Sequence, residues 1–98
     1  MRVEFHPAAV REIEAAQAWY EQRSLLAASA FLGEFSAAVQ RIRKTPLRYA
    51  EAEANTRRAL LDRFPFTIYY RVRPDRPEVV WVVAVAHQKR RPGYWASR

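Results

Sequence analysis

FTIYYRVRPDRPEVVWVVAVAH, residues 66–87, decides how the chain folds. Along 66–73, Phe66, Ile68, Tyr70 and Val72 fall on one side of an extended backbone, and Thr67, Tyr69, Arg71 and Arg73 on the other. PDRP (74–77) is turn chemistry. EVVWVVAVAH (78–87) is β-branched and apolar on both faces, which suits the centre of a sheet rather than its edge. The segment therefore predicts a hairpin at the heart of a sheet.

Reading outward, RRALLDRF (57–64) predicts a neighbouring strand closed by Pro65. RVEFH (2–6) alternates Val3 and Phe5 with Arg2 and Glu4 and predicts a short first strand. Pro7 then suits the first turn of a helix, where its missing N–H is harmless. Ala9, Val10, Ile13, Ala16 and Tyr20 recur at helical spacing and predict its buried stripe. Ser24 caps a second helix with the stripe Ala28, Phe31, Leu32, Phe35, Val39 and Ile42. Arg41, Arg43 and Lys44 lie in its last turn and Pro46 ends it. Gly33, a helix-weakening residue, suggests a close contact there. PLRYAEAEANT (46–56) reads as a connector. The order is β-α-α-β-β-β in a single domain, residues 1–98. The fold class is α+β: one mostly antiparallel twisted sheet packed against a helical hairpin.

Composition excludes several classes. The chain has 98 residues, 50% of them apolar, no cysteine and two glycines. It is ordered, and it has neither a disulfide framework nor a thiolate metal site. The longest apolar run, Val79 to Ala86, falls far short of the ~20 residues of a membrane helix. No apolar signal segment follows Arg2. A soluble, cytoplasmic protein is expected. Charge is uneven: residues 1–54 balance seven Lys/Arg with seven Glu, whereas residues 55–98 set ten Lys/Arg against three acids and hold the whole net charge of +7. That half is expected to meet an anionic partner.

His6 and His87 lie in different elements, and no His/Asp/Glu cluster has metal-ligand spacing, so no metal and no cofactor are expected. The chain lacks a Gly-rich phosphate loop, a serine elbow and a paired-carboxylate cleft. What remains is cationic: VAHQKRRPGYW, 85–95, follows the last apolar strand. Metal-free RNA cleavage needs a base, an acid and cations for the phosphorane charge. Arg71, His87, Lys89 and Tyr94 are the candidates for such a set. Each has a plainer reading: a hydrogen-bonded strand-end histidine, arginines solvating an open sheet face, aromatics folded back over apolar surface. Trp81 reads as core, and Lys89-Arg90-Arg91 as a binding cluster.

Four stretches, FHPAAVREIEAAQAWY, FLGEFSAAVQRIRKTPLRY, RRALLDRFPFTIYYRV and VVAVAHQKRRPGYW, occur in an order that resembles the RelE/ParE superfamily of type II toxin–antitoxin toxins. The resemblance implies a toxin, associated with plasmid stabilisation, that is neutralised by a cognate antitoxin in a hetero-oligomer. Two targets follow from its two branches. RelE-like relatives are ribosome-dependent mRNA endonucleases with an arginine at the position aligned with Thr67, which a hydroxyl cannot replace as a phosphate clamp. ParE-like relatives poison DNA gyrase without making or breaking bonds in RNA. The reading favoured here is the ParE-like one, with Lys89, Arg90, Arg91, Tyr94 and Trp95 as the target-facing end and no membrane partner. On it, truncation after Arg91 is expected to abolish toxicity without unfolding the domain. Trp19 and Tyr20 are helix packing or antitoxin contact. The alternatives are the mRNA endonuclease, using Arg71, His87, Lys89 and Tyr94, and a non-toxic basic binding domain of the same fold.

Overall fold

The computed structural model describes residues 1–98. Strand β1 (Arg2–Phe5) leads into helices α1 (Pro7–Glu21) and α2 (Leu25–Lys44), a 3-10 turn (Pro46–Arg48), and strands β2 (Glu51–Ala52), β3 (Thr56–Leu60), β4 (Phe66–Arg73) and β5 (Arg76–His87). The sheet runs β1-β5-β4-β3-β2. β1 pairs with β5 in parallel, and the other pairings are antiparallel. The apolar run within β5 is thus flanked by β4 along its length and by β1 over Val79 to Val82.

Local chemistry explains both helix starts. The His6 ring Nδ1 accepts the Ala8 N–H at 3.0 Å, so His6 caps α1 rather than extending β1, and Pro7 takes the first helical position. Ser24 Oγ accepts the Ala27 N–H at 3.1 Å and caps α2. The hairpin buries Ala9, Ala16, Phe31, Phe35, Ala38 and Ile42 in one core with Ile68, Tyr70, Val80, Val82 and Val85.

Several expectations need correction. Leu32 is 47% exposed, and Ala38 takes the place it was given in the α2 stripe. Val10 also faces out. Gly33 marks no close contact, because a Cβ there would meet nothing within 4 Å. The strand expected over 57–64 stops at Leu60. The connector contains a two-residue strand, β2, joined to β3 by a tight turn in which Ala54 and Asn55 have φ of 56° and 58°. Two successive left-handed residues make a type I′ turn, and its signal was Asn55.

The second face of the sheet is not open. A bulge between Tyr69 and Tyr70 of β4, opposite Val83 of β5, shifts the β5 alternation by one residue. Val83 and Ala84 therefore both point away from the helices and form a second small core with Ala86 and Trp95. Tyr69, Trp81 and Tyr94 pack at its margin, so Trp81 is half-buried rather than central. The protein has three layers: helical hairpin, sheet, and C-terminal tail.

Candidate functional site

Pro92-Gly93 folds the tail back. Gly93 has φ of 76°, and a Cβ there would press on the Glu53 carboxylate at 3.1 Å. A Pro-Gly pair with positive φ at its second residue suits a type II turn. The chain after it crosses the sheet, and the Trp95 ring lies 4.2 Å from the Tyr69 ring, 2% exposed. Trp95 is therefore core, which corrects its place in a target-facing end. Truncation after Arg91 would remove this core residue, so the expectation that such a cut spares the fold is also corrected.

Tyr94 is half-buried and engaged. Its hydroxyl donates to Glu12 Oε2 at 2.5 Å, and the Arg90 guanidinium lies 3.9 Å from its ring centre. Burial, then the hydrogen bond and charge of Glu12, raise the Tyr94 phenol above its ordinary range. Glu12 also accepts the Val85 N–H at 2.9 Å and pairs with Arg98 at 2.9 Å. Arg98 in turn reaches the Val83 C=O at 3.2 Å. This junction of α1, β5 and the last residue was not read from the sequence. The available signal was a glutamate at helical spacing from Ala9 and Ala16, on the face both alanines bury.

Arg71 is occupied elsewhere. Its guanidinium donates to the carbonyls of Ala54 (3.0 Å), Arg98 (2.8 Å) and Ala96 (3.2 Å). Burial, then the nearby Arg73, lower its pKa. Arg71 stands opposite Trp81, whereas His87 stands opposite Phe66 at the other end of β4. At ~3.3 Å per residue that is roughly 17 Å along the strand. The two side chains also lie on opposite faces: Arg71 holds the tail, and the His87 ring meets Phe66 edge-on, 5.2 Å between centres, on the helix side. Thr67 is buried, 5% exposed, opposite Ala86 of β5. Arg71 therefore does not join His87, Lys89 and Tyr94 in one site.

The end of β5 is a different place. His87 Nδ1 accepts the Lys89 N–H at 3.0 Å, and the His87 C=O accepts the Arg90 N–H at 2.9 Å, which sets the turn carrying Lys89, Arg90 and Arg91 into solvent. None of these three meets a carboxylate, and Arg90 alone has a partner, the Tyr94 ring. Beside the turn, between α1 and the sheet, is a cleft of about 380 Å³ walled by Trp19, Tyr20, Phe66, Val85, His87 and Arg90. Trp19 is 51% exposed and carries the Arg23 guanidinium 3.6 Å from its ring centre. No group of three or more His, Asp or Glu side chains could hold a metal ion, and no helix is long and apolar enough to cross a membrane.

Residues 3–92 match the family described as the ParE toxin of the type II toxin–antitoxin system, parDE. Among solved structures, the chain is similar to one from the chromosomal ParDE TA system of P. aeruginosa, with a TM-score of 0.75 and 16% identity over 89% of this chain and 95% of that one. At that identity the likeness speaks for the fold. No curated protein matches the chain. The family match runs from Val3 in β1 through both helices and all the later strands to Pro92, and the chain belongs to the ParE toxins of type II toxin–antitoxin systems.

Proposed function

We propose that the protein arrests growth by poisoning DNA gyrase through a protein-binding surface, and that an antitoxin segment neutralises it. The observation that carries this reading is the exposed turn Lys89-Arg90-Arg91, held by the His87 cap and unpaired with any carboxylate. A phosphate-cleaving alternative needs its cations around one scissile bond. Arg71 spends its donors on carbonyls at the far end of the strand, which favours the non-catalytic reading. The antitoxin part is supported by family membership and by the cleft beside α1, with Arg90 on its wall.

The test is induction without antitoxin, with pulse labelling of new DNA and new protein in the same cells. DNA synthesis is expected to stop first, and purified protein to block supercoiling by gyrase in vitro. Charge reversal at 89–91 (Lys89→Glu, Arg90→Glu, Arg91→Glu) is expected to abolish both effects while the melting temperature stays within a few degrees, because these side chains bury little surface. Arrest of protein synthesis ahead of DNA synthesis would reverse the assignment in favour of the mRNA endonuclease.

A further inference from the structure

The outer edge of β5 is filled in two stages and then left open. β1 runs parallel to it as far as Phe5 opposite Val82, and the His6 N–H bonds the Val82 C=O at 2.9 Å. Past that point, Arg98 donates to the Val83 C=O and Glu12 accepts the Val85 N–H. In a parallel ladder, one residue opposite Ala84 would make those same two bonds. The Glu12–Arg98 pair thus stands in for one residue of a missing strand.

The next position lies opposite Ala86 and would use the Val85 C=O and the His87 N–H. Strand alternation points both groups to the same side as the Val85 N–H, away from β4. The only strand on that side, β1, has already ended. Val85, almost wholly buried, and His87 both line the cleft between α1 and the sheet. The cleft walls are largely aromatic, Arg90 stands on the wall, and Arg23 lies over the ring of Trp19, another wall residue. Glu12, the one acid on its wall, is paired with Arg98. The complement of this surface is an extended segment with an apolar side chain between carboxylates.

We infer that the antitoxin segment docks in this cleft as a short parallel strand, bridging to β5 opposite Ala86, with an apolar side chain against Trp19 and Phe66 and a carboxylate on Arg90. The inference rests on the proposed pairing with an antitoxin. The test compares the free protein with its complex with the antitoxin encoded beside it. The His87 amide is expected to exchange at least tenfold more slowly in the complex, measured against the Gln88 amide, whose bond to the Pro65 C=O at 2.8 Å exists already. Ala15→Trp, which places an indole in the cleft from an exposed helix position, is expected to weaken binding at least tenfold without changing the melting temperature. A complex in which His87 exchange does not slow relative to Gln88, or wild-type affinity of Ala15→Trp, overturns the docking mode and leaves the antitoxin reading standing. Failure to form any complex removes both.

Discussion

Glu12→Ala tests whether the tail is fastened as described. The carboxylate serves three donors at once: the Val85 N–H, the Tyr94 hydroxyl and the Arg98 guanidinium. Its side chain is 14% exposed and that of Arg98 20%, so both charges are largely desolvated. Breaking a buried pair by deleting one partner costs about 3–5 kcal/mol, and the residual exposure places this pair at the lower end, near 3 kcal/mol. For a chain of this length each kcal/mol is worth ~4–8 °C, so the melting temperature is expected to fall by about 12–24 °C. Glu12→Gln keeps an acceptor for Val85 and a partner for Tyr94 but loses the charge, and about half the loss is expected because charge-assisted bonds are roughly twice as strong. In a double-mutant cycle, Glu12→Ala with Arg98→Ala is expected to be less than additive by ~1–2 kcal/mol, since each single change already breaks the pair. The assay is urea denaturation followed by near-ultraviolet circular dichroism, which reports Trp95 and Tyr94. A loss below about 1 kcal/mol for Glu12→Ala would refute the view that this carboxylate holds α1, β5 and the tail together.

Arg71→Lys leaves one donor group where three carbonyls are now served, and the last residues are expected to be cut from the sheet several-fold faster in limited proteolysis, read by mass spectrometry; an unchanged rate would show that the clamp is not needed. Ala54→Asn combined with Asn55→Gly supplies the preferred type I′ pair and removes an alanine from φ 56°; a gain of about 1 kcal/mol is expected in the urea midpoint, and a loss would contradict the turn assignment. Burial alone would raise the Glu34 carboxyl, but the Arg63 and Asp62 N–H groups and the Arg63 side chain together hold it below its ordinary value. A depressed folded pKa adds stability above the unfolded value, and this is lost as pH falls through the folded one. Stability is therefore expected to drop below about pH 4, and Glu34→Gln to flatten that slope; an unaltered slope would remove Glu34 from the account.

Much of this architecture was legible because the relevant signals are local. Ser24 before an apolar stripe, Pro46 after a basic turn, and the strict alternation of 66–73 each bias the backbone within a few residues, and each element formed where those biases put it. The failures have a common cause: they depend on contacts between distant residues. Leu32 and Ala38 both fit a helical stripe, and only the position of the sheet decides that Ala38 is inside. The bulge opposite Tyr69 and Tyr70 reverses the facing of Ala84 to His87, and no composition rule announces it in a run of valines and alanines. For Trp95 the plainer reading, an aromatic folded back over apolar surface, is the one the fold adopts, and its partner Tyr69 is fixed only by the Gly93 turn. The cationic cluster 89–91 was legible as a run of basic residues, while the cleft beside it joins α1 to β4 and β5 and exists only in the fold.

The charge asymmetry takes on a different meaning once the chain is folded. Of the Lys and Arg in residues 55–98, Arg57 pairs with Glu51, Arg63 with Glu34, Arg76 with Glu4 and Arg98 with Glu12. All four carboxylates come from the balanced first half, so the excess of one half is tied to the acids of the other across the tertiary structure. Arg73 is held by Asp75, and Arg71 by carbonyls. Arg58, Lys89, Arg90 and Arg91 are left without an acidic partner, and three of these four are consecutive. A basic composition spread over the surface would steer any polyanion, with strong dependence on salt. Three consecutive unpaired cations on one turn beside an aromatic cleft suit a defined protein surface better. Neutralising Arg58 alone is thus expected to leave both growth arrest and antitoxin affinity unchanged. The same change at Arg90 is expected to alter both, because Arg90 belongs to the turn and to the cleft wall at once. Equal effects at the two positions, read from growth curves and from titration of the antitoxin, would mean that total charge rather than this site governs recognition.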